Sequence, residues 1–271
     1  MFKINIGGVP EHFNYPWLKC IENGGFKSIE LDVNWKNYPG GTGEMAEALD
    51  QKDIDIAIML SEGSIKEIES GKDFKIIQKY IETPLLWGIH VDTNSPFESI
   101  KDLKEKTASI SRYNSGSHLM TYVLAERESW DLESLKFELC KNLDGSIEAL
   151  KQKKADFLLW ERFTTKPYVD NQTLRHLGDC PTPWPCFVIV CQNKFYNKNQ
   201  KQIDTLLKVI NTETSQLKTS EELPEILSKR YHIHKKDIKE WLAKTEWSQS
   251  PMKEETISNL KNKLKAYSII S

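Results

Sequence analysis

Arg112 lies just ahead of Ser115-Gly116-Ser117-His118, and an apolar-periodic run, Leu119 to Glu126, follows. A helix start there offers unpaired amide groups and a partial positive charge to an anion, and Arg112 adds a guanidinium able to grip carboxylate, sulfonate or phosphate with two bonds. The plainer alternative is that Ser115 or Ser117 caps the helix while Arg112 pairs with a surface acid. Gly41 and Thr42 belong to a second glycine-rich approach to a helix, Gly40-Gly41-Thr42-Gly43, which could hold a ligand by main-chain amides or simply be a turn after Tyr38-Pro39. Ser61-Glu62-Gly63 and Trp160-Glu161-Arg162 each follow an apolar strand pattern. Trp160 could stack on a flat ligand with Glu161 accepting its donors, or be strand-end core.

His12, after the Gly7-Gly8 turn, and His118 are placed to titrate or donate to a ligand. Two histidines do not make a metal site, and no metal or cofactor is expected. Cys180 and Cys186 bracket Pro181-Thr182-Pro183-Trp184-Pro185 with spacing too irregular for zinc, and no His is placed in sequence to activate a thiol. Gly40-Gly41-Thr42-Gly43 matches neither phosphate-loop pattern, so nucleotide binding is not indicated. No HExxH, GxSxG or paired-carboxylate motif occurs.

The elements that must position these residues alternate. Strands are expected at 3–6, 28–33, 54–60, 74–80, 85–91, 107–110, 137–140, 155–160, 173–177 and 187–191, with helices between them, as in parallel sheets covered by helices. After Asn193 the alternation ends, and 199–216, 220–231, 235–244 and 253–267 read as helices. A segment recurs: Glu47-Ala48-Leu49-x-Gln51-Lys52-x-x-Asp55 returns as Glu148-Ala149-Leu150-x-Gln152-Lys153-x-x-Asp156, an offset of 101 residues, each copy running into an apolar strand. The repeat predicts two lobes on one plan. If their strands run parallel, the loops above lie at carboxyl edges, where open α/β sheets bind ligands.

Bulk properties restrict the partners. The 271 residues carry 37 Lys+Arg against 39 Asp+Glu, which removes the positive field that nucleic acid requires. A mild tilt puts +5 on residues 194–271 and −7 on the rest, read as solvated helix faces. No apolar run approaches the ~20 residues of a membrane span, so no membrane insertion is expected. The five cysteines lack CxxC pairing, and the amino-terminal residues enter a strand pattern without a secretory leader, so a cytoplasmic location is expected.

The strand with Gly-Gly loop, the Gly-Gly-Thr-Gly before an Ala-Leu helix and an Asp-Ile-Ala strand, and Ser99 to Lys104 ahead of Ser115-Gly116-Ser117-His118 resemble the type II periplasmic-binding-protein superfamily over nearly the whole chain. Within it the chain resembles the branch for sulfonates, nitrate and thiamine-pyrimidine precursors, and more closely a small microbial, including fungal, group without a secretion signal. It implies a two-lobed α/β fold with mixed sheets, a ligand cleft and a closing hinge. Lobe 1 would comprise residues 1–87 and 190–271, and lobe 2 residues 88–189. It also implies a cleft bordered by Gly8, His12, Gly41, Thr42, Ser61, Glu62, Trp87, Arg112, Ser115, Gly116, Ser117, His118, Trp160, Glu161, Thr182 and Trp184. The function implied is binding of a small polar ligand, anionic or heteroaromatic, by a monomer or dimer. The alternative is an enzyme of the same fold acting on a thiamine-pyrimidine precursor or chorismate-derived metabolite. The cysteine cluster of the thiamine-pyrimidine synthases has no counterpart here.

Overall fold

The computed structural model describes residues 1–271. The chain forms two compact units, one of Met1–Thr83, Trp184–Lys265 and Ile270–Ser271, the other of Pro84–Pro183 and Ala266–Ile269. The first unit opens with β1 (Phe2–Gly8), α1 (Tyr15–Glu22), β2 (Leu31–Asn37), α2 (Thr42–Asp50), β3 (Ile56–Leu60), α3 (Ser61–Glu69) and β4 (Phe74–Ile81). The second contains β5 (Leu86–Asp92), β6 (Thr107–Ile110), α4 (Gly116–Arg127), β7 (Lys136–Leu139), α5 (Leu143–Lys151), β8 (Phe157–Glu161), α6 (Arg162–Asp170) and β9 (Leu174–Pro181). Then come β10 (Phe187–Gln192), α7 (Asn193–Lys198), α8 (Gln200–Gln216), α9 (Leu223–Tyr231), α10 (Lys235–Lys244) and α11 (Glu254–Ala266). No helix is long and apolar enough to cross a membrane.

Each unit holds one five-stranded mixed sheet, ordered β2-β1-β3-β10-β4 in the first and β7-β6-β8-β5-β9 in the second. The plans superpose term by term, and the antiparallel strand of each is the one that the chain brings across from the other unit. β10 pairs antiparallel with β3 and β4, and β5 antiparallel with β8 and β9. One irregularity also corresponds, a register shift between Ile189 and Val190 in β10 and between Ile89 and His90 in β5, while β10 alone shifts again between Phe187 and Val188.

The repeated segment explains why. Leu49 and Leu150, with Ala48 and Ala149, turn into the apolar layer between helix and sheet, beside Ala57 and Met59 in one unit and Leu158 in the other. Each helix closes on a left-handed lysine, Lys52 at φ 64° or Lys153 at φ 57°. The amides of Lys52 and Asp53 return to the carbonyls of Leu49 and Ala48, and those of Lys153 and Lys154 to Leu150 and Ala149, which satisfies the helix's last carbonyls. The aspartate then pins the parallel partner strand. Asp55 Oδ2 accepts from the Asn5 amide at 2.8 Å, and Asp156 Oδ2 from the Thr107 amide at 2.8 Å.

All ten expected strands are present, with two changes of detail. The strand expected at 28–33 begins at Leu31, because Lys27–Ile29 form a 3-10 turn and Glu30 takes a left-handed φ of 63°. Helix α6 lies where a helix was expected between the strands, whereas α7 was not among the expected helices, and none separates β4 from β5 or β9 from β10. The expected lobe boundaries also move. Leu86 and Trp87 pair with β9, so the second unit starts at Pro84 and not at residue 88. Residues 187–189 pair with β3, so the first unit resumes at Trp184 and not at residue 190. Ala266–Ile269 leave lobe 1 for the second unit, where Tyr267 stacks on Tyr122 of α4 and donates its hydroxyl to Glu126.

Candidate functional site

In each unit three helices start at the carboxyl edge of the parallel strands: α1, α2 and α3 after β1, β2 and β3, and α4, α5 and α6 after β6, β7 and β8. The first unit's edge is built on a buried carboxylate. Glu62, in the first turn of α3, accepts a hydrogen bond from Trp184 Nε1 on Oε2 at 2.9 Å, while its Oε1 is buried without a partner. Burial pushes its carboxyl up to about 7, against weaker lowering by its own amide and the Trp184 indole. Ser61 Oγ donates to the Pro185 carbonyl at 2.5 Å, and the Ser61 amide to Cys186. The chain returning into this unit is therefore held to the start of α3 by three bonds.

Thr42 opens α2, accepts from the Leu60 amide on Oγ1, and lays its methyl against Gly63, where a Cβ would stand 2.5 Å from it. Gly41 before it takes φ 74°, a left-handed conformation suited to glycine. Gly8 lies under the Trp35 indole, within 2.3 Å of a built Cβ, so any side chain there would displace the ring. His12 sits in an aromatic cluster, 4.2 Å from the Trp241 ring and 4.9 Å from Phe13 between centroids, and burial lowers its pKa to about 3. It is a neutral imidazole at physiological pH.

The second unit's edge is hydroxyl-rich. Ser115 caps α4, its Oγ accepting from the His118 amide at 3.4 Å and lying 3.1 Å from Ser117 Oγ. Ser117 Oγ in turn accepts from the Ser111 amide at 3.0 Å. His118 Nδ1 accepts from the Asn114 amide at 3.1 Å, and its ring meets Phe137, Tyr122 and Tyr113 edge-on. Gly116 admits the Trp87 indole, which a Cβ would meet at 2.7 Å. Capping by Ser115 was one of the sequence's alternatives, and it holds. The other half, pairing of Arg112 with a surface acid, does not: Arg112 is exposed and makes no ion pair. Tyr113, missed by the sequence reading, stands beside it with 57% of its surface exposed.

Glu161 and Trp160 end β8 a few residues from that group in the fold's plan but serve the helix and core. Glu161 Oε2 caps α6, accepting from the Thr164 amide at 2.7 Å and its hydroxyl at 2.8 Å, and burial raises its pKa. Trp160, half-buried, packs against the apolar layer that includes Ile147, Leu150 and Leu158. Thr182 Oγ1 accepts from the Leu85 amide at 3.0 Å and its own amide donates to the Leu85 carbonyl, fastening the two chain crossings within the second unit. Thus Thr42, Ser61, Glu62 and Trp184 come together in one unit, Arg112, Ser115, Gly116, Ser117, His118 and Trp87 in the other, while Gly8, His12, Trp160 and Thr182 are packing or fastening residues. No group of three His, Cys, Asp or Glu side chains is placed to hold a metal ion. Burial pushes the thiols of Cys20 and Cys191 up to about 12 and Cys180 up to about 11, which removes them as thiolate nucleophiles.

The arrangement of two such sheets with exchanged antiparallel strands is that of known proteins. The structure of the Candida albicans CA3427 gene product, described as defining a family with the generic periplasmic-binding-protein fold, is 25% identical with a TM-score of 0.89, covering 100% of this chain and 92% of that one. This chain has the type II periplasmic-binding-protein fold. The Ca3427-like PBP family model matches residues 87–180, a stretch lying within the second unit. The alkanesulfonate-binding protein SsuA of Xanthomonas axonopodis pv. citri, bound to MOPS, is 12% identical with a TM-score of 0.82 over 100% of this chain and 95% of that one. PhnD1 of Prochlorococcus marinus, in complex with methylphosphonate, is 13% identical with a TM-score of 0.64 over 99% of both chains. No curated protein sequence matches the chain.

Proposed function

We propose that this protein is a cytoplasmic solute-binding receptor, each unit offering its carboxyl edge to one small polar metabolite whose binding closes the hinge. A ligand that contacts both edges favours the closed state by its differential affinity. The observation that carries the reading is the start of α4, where Ser115 and Ser117 present hydroxyls and Arg112 stands exposed without an acidic partner. A cation left unpaired beside a helix start suits a carboxylate, sulfonate or phosphonate head. Relatives of this fold named for sulfonate and methylphosphonate complexes support that head group. The exposed Tyr113 ring supports a ligand with a flat or apolar body. Five free cysteines fit a reducing compartment.

The enzymatic alternative needs an acid or base beside a partner that tunes it. Glu62 is the buried carboxyl nearest that description, but its bond comes from an indole and not from His or Lys. Isothermal titration with alkanesulfonates, methylphosphonate and small heteroaromatic carboxylates, combined with X-ray scattering, tests the receptor reading. Binding with a smaller radius of gyration is expected, and Arg112→Ala should weaken it at least ~10-fold. Binding without compaction, or unchanged affinity in the Arg112 variant, overturns it.

A further inference from the structure

At the opposite, amino edge of the first unit's sheet, a cavity of about 330 Å³ opens between the tight loop before β3 and helix α7. Lys52, Lys194 and Lys198 line it, together with Asp55, Ile54 and Phe195. Lys194 and Lys198 are four residues apart on α7 and share a face. Lys52 is held at its left-handed position by the bonds that end α2, so the direction in which its side chain leaves the backbone is set. None of the three lysines makes an ion pair, whereas the neighbouring Lys72 is bound to Asp50 at 3.3 Å.

Three acids nearby are engaged elsewhere. Asp55 Oδ2 takes the Asn5 amide, Asp50 takes Lys72, and Asp73 accepts from Asn193 Nδ2 at 2.8 Å. The lining therefore carries three cations against one carboxylate that is already bonded. A single exposed ammonium gains little from an anion in water, but three converging on one cavity select multiply charged ligands. Ile54 and the Phe195 ring add an apolar wall, the combination that small organic ligands use.

We infer that this cavity is a second binding site, for a small phosphate ester or comparable dianion with an apolar or aromatic body, separate from the carboxyl edges and independent of the receptor reading. The corresponding place in the second unit has no counterpart of the basic helix. Lys153 repeats Lys52, but β5 runs on into residues 93–99 and not into a basic helix.

Phenyl phosphate and pyrophosphate, titrated at low salt and followed through the backbone amide resonances of Lys52, Phe195 and Lys198, test it. Saturable shifts at those amides are expected, weakened by added salt. The double charge reversal Lys194→Glu with Lys198→Glu should weaken binding at least ~10-fold, while a reversal of equal charge on another helix, Lys236→Glu with Lys239→Glu, should change it less than ~2-fold. Circular dichroism of both variants confirms that they fold. Absence of shifts at these amides, or equal loss in the two variants, overturns the inference. Loss of phosphate binding with ligand-driven compaction intact would leave the carboxyl-edge reading standing.

Discussion

The two units share a frame and differ at its edge. Leu49 and Leu150, Lys52 and Lys153, Asp55 and Asp156 do the same work 101 residues apart, closing a helix and pinning a strand. Immediately past the repeated strands the likeness stops. Leu60-Ser61-Glu62 in the first unit corresponds to Glu161-Arg162-Phe163 in the second, so the first unit's buried carboxylate stands where the second has Phe163, and the second's helix-capping Glu161 stands where the first has Leu60. The repeat preserves what builds the sheet and releases the strand-end positions, which is where sites on shared folds diverge.

Leu49→Ala and Leu150→Ala press hardest on the shared frame. Both side chains are at most 3% exposed in equivalent layers, so each truncation should cost about 3 kcal/mol in urea unfolding, and a difference above ~2 kcal/mol between them would break the equivalence. Glu62 tests the divergence. Its folded pKa of about 7 exceeds the usual 4.5, so the folded state binds the extra proton between those values. Its contribution is full below pH 4.5 and is lost as pH rises through 7, an effect of about 3 kcal/mol. The stability of wild type relative to Glu62→Gln should fall over that window, and a flat difference would refute a buried, protonated Glu62. His12 and His90 act in the other sense. Each is lowered to about 3, so their contribution is present above 6.5 and lost as pH falls. Comparison with the variant cancels them.

Smaller effects sharpen the frame further. Asp55→Ala and Asp156→Ala should each cost about 2 kcal/mol by orphaning a strand amide, measured by the same unfolding curves. Lys153→Gly should stabilise by up to ~1 kcal/mol, because glycine enters the left-handed position without the Cβ penalty. Arg112→Ala should move stability by less than ~0.5 kcal/mol, since the side chain is exposed and unpaired, so any loss of ligand would be a binding effect.

The frame was legible because its determinants are local: apolar runs, helix formers and the repeated aspartate sit within a few residues of the structure they make. The ownership of β10 was not, because a continuous apolar run such as Phe187–Cys191 fits either sheet, and only pairing across the chain decides. At the candidate edges, Ser115 and Gly41 were readable as helix starts. The burial of Glu62 was not, since a glutamate in a first turn reads as solvated until Trp184, 122 residues away, is seen to cover it. An aromatic at a strand end, such as Trp160, carries no mark in sequence of which face it occupies.

The exchange of β5 and β10 sets an order on synthesis. When β9 leaves the ribosome the second sheet has all five strands, whereas β4 of the first has no neighbour until β10 emerges some eleven codons later. The unit begun first is thus finished last, and a nascent chain stalled between those points would expose the flank of β3 as a free edge open to mispairing.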